Sequence, residues 1–249
     1  MAKFTRTITP LLPAQTGTID GLAYTLWLPP PPQPPPRAGI VILHGAASCK
    51  ESHHDFARAA VALGLAAIAF DQRGHGESEA PMDARMADDV VTIARHLRAA
   101  LGDEDAPIAL RGSSMGGYLA IVAAEPVDAR AVVAICPASA AGLRRGLEAD
   151  KLGFRADRSS LVDFLETHDL TESVESLEAP LLLLHAEADE RVPVQHSREL
   201  AGYMRNPASR LIAVPGGHHR SIQHDLELQA VSLRFIEQAL GLRSRRASS

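Results

Sequence analysis

Gly112-Ser113-Ser114-Met115-Gly116 places a serine between two glycines at spacing two, at the junction of a strand-like run, Ile108–Leu110, and a helix-like run, Met115–Glu125. A serine held on so sharp a strand–helix turn sits in strained backbone geometry with its hydroxyl exposed, and side chains two residues away on either flank would collide with the neighbouring strand and helix. Ser114 meets this requirement on both flanks; Ser113 has Met115 at the second position and does not. The helix start adds a positive dipole end beside any negative charge that develops there. A serine hydroxyl is a weak nucleophile at neutral pH and needs a base, usually histidine, oriented by a carboxylate. Downstream, the strand-like run Leu181–His185 leads into a loop carrying Glu187, Asp189 and Glu190, and Leu211–Val214 leads into Pro215-Gly216-Gly217-His218-His219-Arg220. Open α/β sheets place their sites just past the carboxyl ends of strands. The order serine, acid, histidine is therefore available, with Asp189 just past the end of its strand as an acid, Glu187 and Glu190 beside it, and either His218 or His219 as base.

Other chemistries fit poorly. Neither His53-His54 nor His218, His219 and His224 has the H-E-x-x-H or Cys/His spacing of a zinc site, so no metal is expected. Gly74-x-Gly76 lacks the third glycine of a dinucleotide fingerprint, and there is no Walker A sequence, so no cofactor is expected. Cys49 and Cys136 are too few for a disulfide framework. Lys plus Arg is 25 against 30 Asp plus Glu, a formal net charge of −5, which argues against a nucleic-acid partner. No run of 18 apolar residues is present and the N-terminus carries no long apolar stretch, so the expectation is a cytoplasmic protein with no membrane span.

The elements that must position these residues follow a rhythm. Leu22–Leu28 has strand composition and runs into the prolines of 29–36, an extended connection in which fixed φ and missing N–H groups preclude a regular element. Short apolar strands are expected at Gly39–Leu43, Ala66–Phe70, Ile108–Leu110, Ala131–Cys136, Leu181–His185 and Leu211–Val214. Helices are expected at His54–Leu65, Ala84–Leu101, Met115–Glu125, Val194–Met204 and Leu226–Leu240; Met86, Val90, Ile93, Leu97 and Leu101 form an apolar stripe at helical steps. Strand–helix alternation implies a parallel sheet covered on both faces. At 249 residues, 46% of them hydrophobic, the chain reads as a single domain over 1–249. Residues 137–179 interrupt the rhythm with mixed charge and no clear strand; they read as a small cap-like helical insertion that covers a site, or as an ordinary connecting segment. Within it, Phe154, Leu161 and Phe164 are either pocket walls or core contacts. Arg243–Ser249 reads as a frayed end.

Four motifs in order resemble the α/β-hydrolase superfamily, from about Leu22 to Leu240: His44-Gly45-Ala46 after the first buried strand, Asp71-Gln72-Arg73-Gly74-His75-Gly76-Glu77-Ser78 after the next, the serine turn, and the acid and histidine loops. The resemblance implies an α/β-hydrolase fold with a mostly parallel eight-stranded sheet, helices on both faces and a small helical insertion. It also implies Ser114 as nucleophile and Asp189 as orienting acid, although Ala186 stands where the family pattern G-x-x-D has glycine. P-G-x-x-H selects His219 as base. The backbone N–H groups of Ala46 and Met115 would form the oxyanion hole. His44, Asp71, Arg73 and His75 would support loops. The absence of HGGG sets the chain apart from the hormone-sensitive-lipase-like branch. A serine, not a carboxylate, at the turn argues against haloalkane dehalogenase or epoxide hydrolase chemistry. The expected activity is serine-esterase or thioesterase cleavage of a small-molecule acyl substrate, with peptidase or acyltransferase use of the same triad, or a non-catalytic binding role, as alternatives.

Overall fold

Along β3 (Gly39–Leu43), Ile40 and Ile42 enter one apolar cluster while Val41 and Leu43 enter a second. β4 (Ala66–Phe70) divides the same way, with Ala67 and Ala69 on one side and Ile68 and Phe70 on the other. Successive side chains of a strand point to opposite faces, so a strand buried on both faces must be apolar throughout. The computed structural model of the chain describes residues 11–242; the expected frayed end, Arg243–Ser249, lies outside them.

The sheet has eight strands. β1 (Gln15–Ile19), β2 (Leu22–Trp27), β3, β4, β5 (Ile108–Ser113), β6 (Ala129–Ile135), β7 (Leu181–Ala186) and β8 (Arg210–Val214) lie in the order β1-β2-β4-β3-β5-β6-β7-β8. β1 pairs antiparallel with β2 and β2 antiparallel with β4; every later pairing is parallel. The helices are α1 (His54–Ala62), α2 (Met86–Leu101), α3 (Met115–Val122), α4 (Ala124–Val127), α5 (Ala140–Glu148), α6 (Arg158–Thr167), α7 (Leu170–Ser176), α8 (Val194–Ala201), α9 (Ser221–His224) and α10 (Leu226–Ala239). Phe56 and Ala60 of α1 and Leu233 and Ile236 of α10 cover one face, and α2, α3 and the 137–179 helices cover the other. The expected stripe on α2 is the buried one: Met86, Val90, Ile93 and Leu97 are at most 2% exposed.

The differences from expectation have local causes. β5 runs on through Arg111 and Gly112 to Ser113, because Arg111 packs its guanidinium 3.8 Å above the Phe56 ring inside the core. The helix after Ser114 breaks between α3 and α4 just ahead of Pro126, whose missing N–H cannot continue the ladder. β1 was not anticipated. It is an exposed edge strand joined to β2 by Asp20 and Gly21, both at positive φ, as a two-residue Asp-Gly hairpin turn requires.

Residues 137–179 fold as α5, α6 and α7 on the α3 side of the sheet. Leu161 and Phe164 are buried in the main core cluster, and Phe164 also lines a cavity on that side of the sheet. Phe154 instead lies against the His75 ring at 4.4 Å. The segment is stitched to the turn after β4: Met82 N–H donates to Arg155 C=O, and Asp157 N–H donates to Met82 C=O. A Cβ on Gly74 would lie 2.1 Å from the Arg155 carbonyl oxygen, so this close approach requires glycine. Among the described residues no helix is long and apolar enough to cross a membrane.

Candidate active site

Ser114 stands at the end of β5 with φ 54° and ψ −117°, a conformation strained for a residue with a side chain. The flanking glycines permit it. A Cβ on Gly112 would lie 1.9 Å from Gly116 O, and one on Gly116 would lie 2.3 Å from Leu43 O and 2.5 Å from His44 O. The first is a clash with the start of α3, the second with the end of β3. Gly45 closes the other side, its Cβ position 3.2 Å from Ser114 Cβ.

The acid and histidine loops meet at one hydrogen bond. His219 Nδ1 and Asp189 Oδ2 are 2.7 Å apart. Asp189 Oδ1 accepts the N–H groups of Arg191 and Val192, both at 2.8 Å, and the Cys136 thiol lies within 4.8 Å of this carboxylate. Burial alone would raise the Asp189 pKa, but the bonds from His219, Val192 and Arg191 outweigh it and hold the carboxyl well below its usual range. A charged carboxylate accepting at Nδ1 fixes the proton there and leaves Nε2 of His219 as an acceptor. The alternatives are engaged elsewhere. Glu187 pairs with Arg198, and Glu190 Oε2 takes the His219 backbone N–H. His218 is exposed, and its Nδ1 accepts the Arg220 N–H.

Ser114 and His219 line one small cavity of about 50 Å³, together with Gly45 and Ala46. Among the described residues no hydrogen bond joins Ser114 to His219. Ala46 N–H likewise has no partner among them, and Met115 N–H is at the first position of α3, where a helix leaves its donors unpaired. Phe154, Leu161 and Phe164 do not line this cavity. A larger cavity, about 930 Å³, lies elsewhere, between the far end of α3 and α6–α7. Its Ile121 and Val122 are about 10 Å along the helix from Met115, at 1.5 Å per residue.

Loop-supporting residues behave as expected. His44 Nε2 accepts the Gln72 N–H at 3.0 Å, so Nδ1 carries the proton and donates to Gly45 O at 2.8 Å; the ring thereby pins the loop that bears Ala46. Burial pushes its pKa down to about 4. Asp71, fully buried, accepts from Lys50 N and Nζ and from Glu77 N, and Arg73 is bidentate to Asp89. Lys50, at 4% exposure, gave no signal in the sequence beyond its charge.

Cys136, Asp189 and His219 each offer a donor atom, all within 4.8 Å of one another. Burial pushes the Cys136 thiol up, so it is protonated, and Asp189 and His219 are already bonded to each other. Metal ligation would require breaking the His219–Asp189 bond and deprotonating the thiol.

The chain has the α/β-hydrolase fold. The family model described as serine aminopeptidase, S33, matches residues 34–156. The chain is similar to Rv2307c of Mycobacterium tuberculosis, with 25% identity over 203 residues, 81% of this chain and 70% of that protein. Among solved structures it resembles Est1E from Butyrivibrio proteoclasticus bound to ferulic acid, with TM-score 0.72, 21% identity, and 93% of this chain and 100% of that one covered. Mouse alpha/beta hydrolase domain-containing protein 10 gives TM-score 0.68 at 24% identity, over 91% and 98% of the two chains.

Proposed function

We propose that this protein is a serine hydrolase that cleaves a carboxylic ester or thioester of a small molecule. Ser114 attacks the acyl carbonyl while His219 Nε2 takes the hydroxyl proton and passes it to the leaving group. Asp189 holds the imidazole tautomer and stabilises the imidazolium, and water then cleaves the acyl-enzyme. The N–H groups of Ala46 and Met115 receive the oxyanion. One observation carries the reading: His219, bonded to a buried, charged Asp189, lines the same cavity as a serine held in strained geometry. The S33 family description and the esterase neighbours support hydrolysis. An ester is favoured over an amino-terminal peptide bond because no carboxylate lines the cavity to receive an ammonium group.

A fluorophosphonate probe should label the protein at Ser114, and Ser114→Ala should abolish both labelling and p-nitrophenyl ester turnover, a loss of about 10⁴–10⁶ in kcat. His219→Ala should behave the same way and His218→Ala should not. Full turnover in Ser114→Ala, or loss in His218→Ala alone, would overturn the assignment.

A further inference from the structure

The cavity over Ser114 is lined by two arginines, Arg191 and Arg220, and by no acidic residue. This local excess of positive charge stands out in a chain whose net charge is −5. Both arginines are exposed. Among the described residues no hydrogen bond or ion pair occupies the Arg220 guanidinium, whereas Arg198 nearby is neutralised by Glu187 at 2.8 Å. Arg191 Nε is 4.0 Å from Glu190 Oε1, the outer limit of an ion pair, and the other oxygen of Glu190 is taken by the His219 N–H.

Their places in the chain say which part of a substrate they would meet. Arg220 follows His219 directly, and Arg191 lies two residues past Asp189. Both are therefore carried by the loops that bear the histidine and its acid. In acyl transfer the histidine side faces the departing group, because the imidazolium protonates it. A guanidinium is a planar fork of donors suited to carboxylate and phosphate, and it retains its charge at any working pH.

We propose that the substrate is an ester or thioester whose leaving group carries an anion, a carboxylate or a phosphate, bound by Arg220 and secondarily by Arg191. This rests on the reading of Ser114 as nucleophile. It specifies the alcohol or thiol part and leaves the acyl part open. The same two charges disfavour an ammonium-bearing substrate.

The test compares butyrate esters of matched phenols: neutral 4-carbamoylphenyl butyrate against 4-carboxyphenyl and 4-phosphonophenyl butyrate. At low salt, kcat/KM for at least one anionic ester should exceed the neutral one by about tenfold, and the better of the two identifies the anion. Arg220→Gln should lower the anionic-to-neutral ratio several-fold, Arg220→Glu should invert it, and 0.5 M salt should shrink it in the wild type. A structural role for Arg220 would move both substrates together and leave the ratio where it was. Ser114-dependent turnover with an equal ratio in wild type and Arg220→Glu overturns this inference while the hydrolase reading stands. Absence of turnover together with absence of fluorophosphonate labelling overturns the hydrolase reading, and this inference with it.

Discussion

Asp189 collects three donors, the His219 ring and the N–H groups of Arg191 and Val192, and has the Cys136 thiol close by. They differ in what their loss should do. The two backbone donors set where the carboxylate sits, and the ring bond is the contact through which it acts. Asp189→Asn keeps the shape but removes the charge that fixes the proton on Nδ1, so kcat should fall by about 10⁴ with little change in stability, as read from ester turnover and thermal melting. A thiol is a weak donor, and Cys136→Ala leaves the three bonds of Asp189 in place. Its kcat should fall by no more than about tenfold, since one hydrogen bond is worth roughly 1 kcal/mol. A loss as large as that of Asp189→Asn would mean that Cys136 orients the acid alone. Cys136 could not be singled out from the sequence, where it appears only as the end of an apolar strand. Its role arises because β6 and β7 are neighbours in register, Ile135 beside Leu184, which sets the end of one strand against the loop after the other.

At the scale of elements, the turn that presents Ser114 depends on two glycines for different reasons, one facing its own helix and the other facing β3. The clashes are with backbone atoms, which cannot rotate away as a side chain would. Gly112→Ala and Gly116→Ala should each cost about 3 kcal/mol or more and abolish fluorophosphonate labelling, whereas Ser113→Ala should label and melt nearly as wild type. This steric requirement was readable from spacing alone, as were the alternating strands and the buried stripe of α2, because each is a periodic demand on neighbouring residues. What was not readable depends on distant partners. The strand character of Arg111 comes from Phe56, and the core role of Leu161 and Phe164 comes from joining the cluster that also holds Leu143 and Leu147 of the neighbouring α5. The choice of His219 over His218 shows both sides. The loop motif pointed to His219, but the reason is that Asp189 comes within 2.7 Å of one ring while the other stays in solvent. The hairpin of β1 had a signal in Asp20-Gly21 that the apolar pattern, weak in an exposed edge strand, did not reinforce.

Across the whole molecule, burial of imidazole rings couples the fold to pH. Burial holds His44, His53, His54, His75, His185 and His196 below the ordinary histidine value, with His44 at about 4 and His53 well below normal. His44 ties the Ala46 loop to Gln72 only while Nε2 is free to accept, so its neutral form is the structural one. The sign of the effect follows from linkage. The unfolded chain takes up its proton near pH 6.5 and the folded chain only near pH 4, so the stabilisation is complete above 6.5 and is lost progressively between 6.5 and 4. For His44 alone the loss is about 3 kcal/mol, and the other lowered histidines add to it with the same sign. The bonded Asp189 loses its contribution only below that window, because its carboxyl is depressed from the ordinary aspartate range. Urea unfolding at pH 7.5, 5.5 and 4.5 should therefore give midpoints that fall steadily with acidity, with an unchanged m-value. Ester turnover after brief exposure to pH 4.5 and return to pH 7.5 should recover if the loss is reversible protonation of these rings. Midpoints that stay level from pH 7.5 to 4.5 would mean that the rings accept protons in the folded chain as readily as in the unfolded one, and that the His44–Gln72 contact does not hold the Ala46 loop.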